Sequence, residues 1–190
     1  KQAEENAANA PKVARDERKK QANKVANQRP KTEAETRFLI DEQLRMVGWE
    51  ADTENIRYSK GVRPTKGRKL AIAEYPTNST VGNRGYADYA LFIGEKLVGI
   101  IEAKAIHKDI PSVIDYQGKD YPRCIREEDE KYVIGKWGEF KVPFTFATNG
   151  RPYLEQYRTK SGIWFLDLRK PDNSPMACLL YTSDAADDMQ

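Results

Sequence analysis

Histidine and cysteine are almost absent from these 190 residues: His107 is the single histidine, and Cys124 and Cys178 are the two cysteines. That scarcity excludes a His-rich metal cluster, a structural zinc site, a Cys-His catalytic couple of recognisable spacing and a disulfide framework. No apolar run approaches the roughly 18 residues of a membrane span, and the polar start carries no secretory signal. The chain therefore reads as cytosolic. It also lacks a Gly-x-x-x-x-Gly-Lys-Ser/Thr segment, so no ATP site is expected within it. Catalysis, if any, must come from carboxylates, lysines, hydroxyls or a hard cation.

What is present suits one main domain with appendages. Hydrophobic residues make up 39% of the chain, including ten Tyr, six Phe and three Trp, while 32% are charged and the mean hydropathy is −0.79. The ends differ from the middle. Lys1 to Pro30 is rich in Ala, Lys, Asn and Gln, has only Val13 and Val25 as large apolar side chains, and reads as a polar helical or linker segment. An opening Lys in place of Met leads us to expect an upstream part. At the other end, 173–190 reads as a tail. Its last part, Cys178-Leu-Leu-Tyr-Thr-Ser-Asp-Ala-Ala-Asp-Asp188 and onward to 190, looks like a translated sequencing adapter and is expected to be non-native. Without the three acids of 178–190 the net charge rises from +3 to +6.

The middle has regular patterning. Thr32-Glu-Ala-Glu35 before Phe38, Leu39, Leu44 and Val47 predicts a helix capped at Thr32 and ended by Gly48. A strand is expected within Trp49 to Arg57, and another over Leu70 to Tyr75, stopped by Pro76. Between them runs a loop carrying Lys60, Arg63, Lys66, Arg68 and Lys69, five cations that would supply salt-dependent DNA affinity or would simply be solvated. Gly85 to Ile93 and Leu97 to Ala105 should pair antiparallel across Gly94-Glu-Lys96. A helix is expected within Ile110 to Arg126, a buried strand over Val142 to Thr148, and a last hairpin joining Leu154–Tyr157 to Ile163–Leu168. This order predicts an α/β fold, a mixed β-sheet flanked by helices.

The chemical anomaly is Leu97-Val-Gly-Ile-Ile-Glu-Ala-Lys104, an apolar strand ending in an acid and a base two residues apart. Residues at i and i+2 share a strand face, so Glu102 and Lys104 point the same way. With a three-residue loop, Ile93 faces Leu97 and Asp88 falls opposite Glu102. Two converging carboxylates need a positive charge between them, and oxygen ligands favour Mg²⁺ or Mn²⁺. An ordinary strand-end salt bridge between Glu102 and Lys104 is the competing reading.

Asp-x(13)-Glu-x-Lys across a hairpin resembles the PD-(D/E)xK nuclease superfamily. Thr-Glu-Ala-Glu-Thr-Arg-Phe-Leu-Ile-Asp-Glu-Gln-Leu (32–44), Gly-Trp-Glu-Ala-Asp-Thr-Glu-Asn-Ile-Arg-Tyr-Ser-Lys-Gly (48–61), Ala-Asp-Tyr-Ala-Leu-Phe (87–92), Ile-Glu-Ala-Lys (101–104) and Phe-Ala-Thr-Asn-Gly-Arg-Pro-Tyr (146–153) look like successive blocks of the N-terminal nuclease domain of type I restriction enzyme R subunits. The resemblance spans about 31–172. It implies a PD-(D/E)xK, restriction-endonuclease-like core, with Asp88 and Glu102 as metal ligands, the main-chain carbonyl of Ala103 as a third, and Lys104 assisting the attacking water. Ala87 stands where the family has proline. Gln117-x-x-x-Tyr121 fits the family's Gln-x-x-x-Tyr motif, its i, i+4 spacing allowing both to reach the site or the DNA backbone.

Glu35 would join the metal site, or serve only as the third residue of a capping box. His107 and Asn149-Gly150 are weaker candidates, for phosphate contact and for a family block respectively, and Cys124 reads as a small partly buried filler. The resemblance implies double-stranded DNA as substrate, methyltransferase and specificity subunits as partners, and ATP as a cofactor only of a motor region outside these residues. The other readings are a non-catalytic DNA-binding or subunit-docking module, and a different superfamily nuclease such as a resolvase or repair nuclease.

Overall fold

A computed structural model of the chain describes residues 33–80, 85–105, 108–151, 155–170 and 172–178. Lys1 to Pro30, Thr32, His107 and the tail beyond Cys178 lie outside the described residues. The first element is helix α1, Glu33–Met46, where the apolar spacing placed it. Its chain exit turns through Gly48 at φ +87°, a left-handed conformation that favours glycine. Strand β1 is only Glu50–Ala51. Strands β2 (Lys69–Pro76), β3 (Tyr86–Ile93) and β4 (Lys96–Ala103) follow. A helical crossover of α2 (Ile110–Val113), a π turn (Ile114–Gly118) and α3 (Lys119–Arg123) then leads to β5 (Phe144–Thr148). Strands β6 (Ile163–Asp167) and β7 (Met176–Cys178) complete a mixed seven-stranded sheet whose spatial order is the chain order. β1 and β2 are parallel, β4 and β5 are parallel, and the other neighbours are antiparallel.

The two helical layers cover opposite faces. Ile40 and Leu44 of α1 pack with Ala71, Ala73, Tyr89, Leu91 and Ile101. The other face holds Leu70, Ile72, Tyr75, Phe92 and Ile100 with Tyr121 of α3, continued by Ile110 and Ile114 against Ala147, Trp164 and Leu166. Tyr58, Tyr75, Phe92 and Tyr132 form a chain of ring contacts with centroids 5.2 to 5.6 Å apart, mostly edge-on, the geometry aromatic quadrupoles prefer.

Two expectations are corrected. The hairpin proposed for Leu154–Tyr157 and Ile163–Leu168 does not form, because Glu155–Lys160 is a 3-10 helix and β6 pairs with β5 and β7. The main-chain groups around it bond back to the loop after β5: Gly162 N donates to Arg151 O at 2.9 Å, and Asn149 Nδ2 to Lys160 O at 2.9 Å. The sheet also continues into β7, past the boundary drawn at 172.

The β3–β4 turn is tighter than expected, and this is instructive. Ile93 pairs with Lys96, so the turn has two residues, and Phe92 pairs with Leu97. The ladder then jumps: Leu91 pairs with Gly99 and Tyr89 with Ile101, which leaves Val98 as the extra residue of a β-bulge. The bulge restores the register that the three-residue loop would have given, and continuing it one step sets Asp88 opposite Glu102. Leu97 and Ile100 face the α3 side, while Val98 and Gly99 both turn toward the α1 side. Glycine relieves crowding there, since a Cβ on Gly99 would lie 3.0 Å from the Phe146 ring and 3.2 Å from Leu91, so those side chains would have to shift. Gly99→Ala is therefore expected to destabilise the fold by about 1–3 kcal/mol through overpacking. An unchanged urea midpoint for this variant would refute the account of the bulge.

Candidate active site at the open end of strands β3 and β4

The regular ladder between β3 and β4 stops at Tyr89–Ile101. Beyond it the Ala103 N–H has an acidic acceptor: it donates to Asp88 Oδ2 at 2.7 Å. The opposite edge of β3 is irregular at the same level. Ala73 pairs with Tyr89 and Tyr75 with Ala87, but Glu74 between them has φ +46°. That conformation is uncommon for a residue with a side chain. Its consequence follows from strand alternation. Leu70 and Ile72 face the α3 side, so strict alternation would bury the Glu74 charge among them. The left-handed residue lets Tyr75 take that buried place instead and turns Glu74 to Arg37 and Arg57.

Arg37, on the first half of α1, joins the two acids. Its Nη1 lies 3.1 Å from Glu74 Oε1, and its Nη2 pairs with Asp88 Oδ1. Burial alone would lower its pKa, but Asp88 and then Glu74 outweigh this and hold it above its usual value. Glu102 is fully buried on β4. Its Oε1 is 2.5 Å from Lys104 Nζ, a side chain only 12% exposed, whereas its Oε2 is buried with no hydrogen-bond partner. Burial first, and then the neighbouring Asp88 charge, push the Glu102 carboxyl up to about 8, against the opposing pull of Lys104.

The structure thus brings Asp88, Glu102, Ala103 and Lys104 together, as the hairpin argument expected. The Glu102–Lys104 salt bridge exists, yet it is not the solvated strand-end pair of the competing reading, because the acid is buried and half-satisfied. Gln117 sits in the π turn that packs on β4 and β5, on the sheet face Glu102 shares with Ile100, and is half-buried. Gly118 beside it allows that approach, since a Cβ there would lie 3.1 Å from Thr145 Oγ1. Tyr121 is elsewhere in character: it is fully buried in the α3-side core, from which it cannot reach a DNA backbone. Glu35 falls on the first turn of α1, but its side chain lies outside the described part. Asn149-Gly150 is a turn, with Asn149 Oδ1 accepting from Arg151 N, and Cys124 is a half-buried free thiol.

Lys66, Arg68 and Lys69 are not brought to the carboxylates. Lys69 pairs with Ile93, at the turn end of the hairpin, and Asp88 lies five residues away along β3, about 17 Å at strand rise. All five cations of the loop are exposed. Arg68 is engaged by Glu50 through contacts of 2.5 to 3.2 Å, Arg63 stacks on Tyr58 and bonds to its carbonyl, and Lys66 is 3.9 Å from Glu95. Lys60 and Lys69 complete the group. The sequence reading missed Arg37, Arg57 and Glu74. Glu74 left a signal, a lone acid inside the apolar strand Leu70-Ala-Ile-Ala-Glu-Tyr75, the same anomaly that flagged Glu102.

The profile of the family described as "Type I restriction enzyme EcoKI endonuclease subunit second domain" matches residues 50–186. The chain belongs to this family of type I restriction enzyme endonuclease subunits. It is 39% identical to the type I restriction enzyme EcoKI endonuclease subunit of Escherichia coli (strain K12), an alignment covering 77% of this chain and 14% of that protein. The chain thus spans 14% of the length of the curated relative it matches. No solved structure matches it. The match favours a restriction subunit over a resolvase or repair nuclease. The family profile includes Glu74, Asp88, Glu102 and Lys104 and begins after α1 with Arg37.

A raised carboxyl pKa has a defined effect on stability. The folded value lies above the ordinary 4.5, so the fold prefers neutral Glu102. Stability from this group is complete below about 4.5 and is lost as pH rises toward 8. In divalent-free buffer, Glu102→Gln is expected to gain thermal midpoint over wild type as pH is raised from 5 to 9. A wild-type-minus-variant difference that stays flat across that range would show that Glu102 carries no such penalty.

Proposed function

We propose that the chain is the DNA-cleaving domain of a longer type I restriction subunit, hydrolysing phosphodiesters of double-stranded DNA with Mg²⁺ or Mn²⁺. The observation that carries this reading is the bare, buried Oε2 of Glu102 beside Asp88. A buried carboxylate oxygen with no donor is costly unless something positive reaches it. Among the described residues no three His, Cys, Asp or Glu side chains form a ready metal cluster. Mg²⁺ does not need one, since it is typically held by one or two carboxylates with waters and substrate phosphate completing the shell. Asp88 and Glu102, with the Ala103 carbonyl, would hold it. When bound, such an ion supplies charge to polarise the phosphate and to acidify a water.

The remaining roles fall to the chain itself. The Ala103 N–H fixes the Asp88 carboxylate by holding Oδ2. Glu102 holds the Lys104 ammonium through Oε1, where that charge would orient the attacking water and stabilise the charge that develops on phosphate. Gln117 would meet the DNA backbone from the π turn over β4 and β5. Tyr121 would act from the core, by packing the helix that carries Gln117. The Lys66–Lys69 end of the basic loop lies about 17 Å along β3 from Asp88, which is roughly half a helical turn of DNA. A duplex lying along the strands would therefore meet Lys66 and Lys69 about half a turn from the reacting phosphate.

In this reading the chain works in the cytoplasm with methyltransferase and specificity subunits, and ATP serves a motor elsewhere in the longer protein. Among the described residues no helix is long and apolar enough to cross a membrane.

A second reading, a docking module without catalysis, draws on a different observation. The α1-side face of β5, β6 and β7 carries Phe144, Phe146, Ile163 and Phe165 half-buried, with Met176 at 55% exposure. Metal binding separates the two. Calorimetric titration of MnCl₂ is expected to show saturable binding to wild type and binding weaker by about tenfold or more in Asp88→Asn; equal binding would sink the nuclease reading. Lys104→Ala should keep the ion and the fold while plasmid nicking in Mn²⁺ falls by roughly 10²-fold, and undiminished nicking would remove Lys104 from the mechanism.

A further inference from the structure

We propose that Arg37 is a built-in competitor of the divalent cation, a gate that occupies Asp88 until the ion displaces it and that Glu74 then retains beside the site. The inference rests on the nuclease reading and adds its regulation. Asp88 is 2% exposed and both its oxygens are engaged, Oδ2 by the Ala103 N–H and Oδ1 by Arg37. The first partner is a main-chain group of β4. The second is a guanidinium on a long side chain, 16% exposed, and it is the group whose departure would free Asp88 for an ion. Arg37 therefore supplies the positive charge that a pair of buried carboxylates requires when no ion is present.

Glu74 provides the exchange. Its carboxylate already touches Arg37 at 3.1 Å, and its left-handed backbone aims it there at a conformational cost. A guanidinium leaving Asp88 thus keeps an anionic partner within reach and is not stranded in a half-buried position. Arg57, on the other oxygen of Glu74, holds that carboxylate in place. The Nε of Arg37 is buried without an acceptor, so even the resting pairing leaves the guanidinium incompletely satisfied. The strain and the unmet donor lie in the competitor and its acceptor, where a two-position switch needs them.

The test is MnCl₂ binding to the 190-residue chain, followed by calorimetry and by the Mn²⁺-induced rise in thermal midpoint. Arg37→Ala is expected to bind Mn²⁺ about tenfold more tightly than wild type, because a positive charge beside the ion is removed. It should also be stabilised more by saturating Mn²⁺ than wild type is. Glu74→Gln removes the exchange acceptor and should bind more weakly than wild type. Arg37→Lys, which keeps the charge, should stay near wild type. Mn²⁺ affinity in Arg37→Ala that equals or falls below wild type would overturn the gate while leaving the metal site intact, since Asp88 would then need Arg37 to be pre-organised. Should Arg37→Ala fail to fold, Glu74→Gln decides: binding equal to or tighter than wild type overturns the proposal. Absence of Asp88-dependent Mn²⁺ binding in wild type would instead overturn the nuclease reading itself, and the gate with it.

Discussion

Two carboxylates buried at the end of an apolar hairpin are the constraint from which the rest of this structure follows. Desolvation and mutual repulsion both oppose ionising Glu102 beside Asp88, and each local irregularity nearby answers one part of that problem. The parted ladder leaves the Ala103 N–H to the Asp88 carboxylate. The left-handed Glu74 spares the core a third buried charge. Arg37 and Lys104 each bring a cation to one acid, so the site is a chain of alternating charge, Arg57–Glu74–Arg37–Asp88 and Glu102–Lys104. One oxygen, Glu102 Oε2, is left over. A fold built only for stability would replace such a set with apolar side chains of similar volume.

The same hairpin shows how distant residues set the geometry. Asp88 and Glu102 can oppose one another only if the pairing register sums correctly over the whole length of β3 and β4. The two-residue turn sets it one step off, and the bulge at Val98 corrects it. Gly99 eases the bulge, because a second successive side chain would crowd Phe146 and Leu91. A glycine and a valine, neither of them charged, thus decide whether the acids meet.

Much of this was legible in the sequence, and what was not has physical causes. The helix from Glu33, the strands around Asp88 and Glu102 and the crossover helix followed from apolar periodicity, which is dense in these segments. Asp88 and Glu102 lie close together although the turn was read one residue too long, because the error and the bulge cancel; periodicity does not see a bulge. Arg37 stayed hidden because its role is tertiary: it lies on a helix whose pattern only says which face packs, 51 residues from Asp88. The strand expected at Leu154–Tyr157 failed for a related reason, since the main-chain bonds there go to the Asn149–Arg151 loop and not to a neighbour in sequence. Tyr121 had the spacing of a surface pair with Gln117, but the π turn and the depth of the α3-side core placed the two in different surroundings.

The separation of the basic loop from the carboxylates bears on how charge can work in this domain. At physiological ionic strength exposed charges are screened over about 8 Å, half the span between Lys69 and Asp88 along the strands. Lys69 therefore cannot tune the acids, whose environment is set by burial, by each other, and by Arg37, Lys104 and the Ala103 N–H. Two electrostatic regions coexist on one hairpin, a solvated cationic turn end and a desolvated, internally compensated acidic end, and they act independently until a polyanion long enough to span both is present. A duplex is such a polyanion. Its affinity would come from the exposed, salt-sensitive end, and its chemistry from the buried end, where low dielectric makes each charge count for more. The left-handed Glu74 fits this division, since a residue with a side chain takes strained backbone where its charge must be aimed.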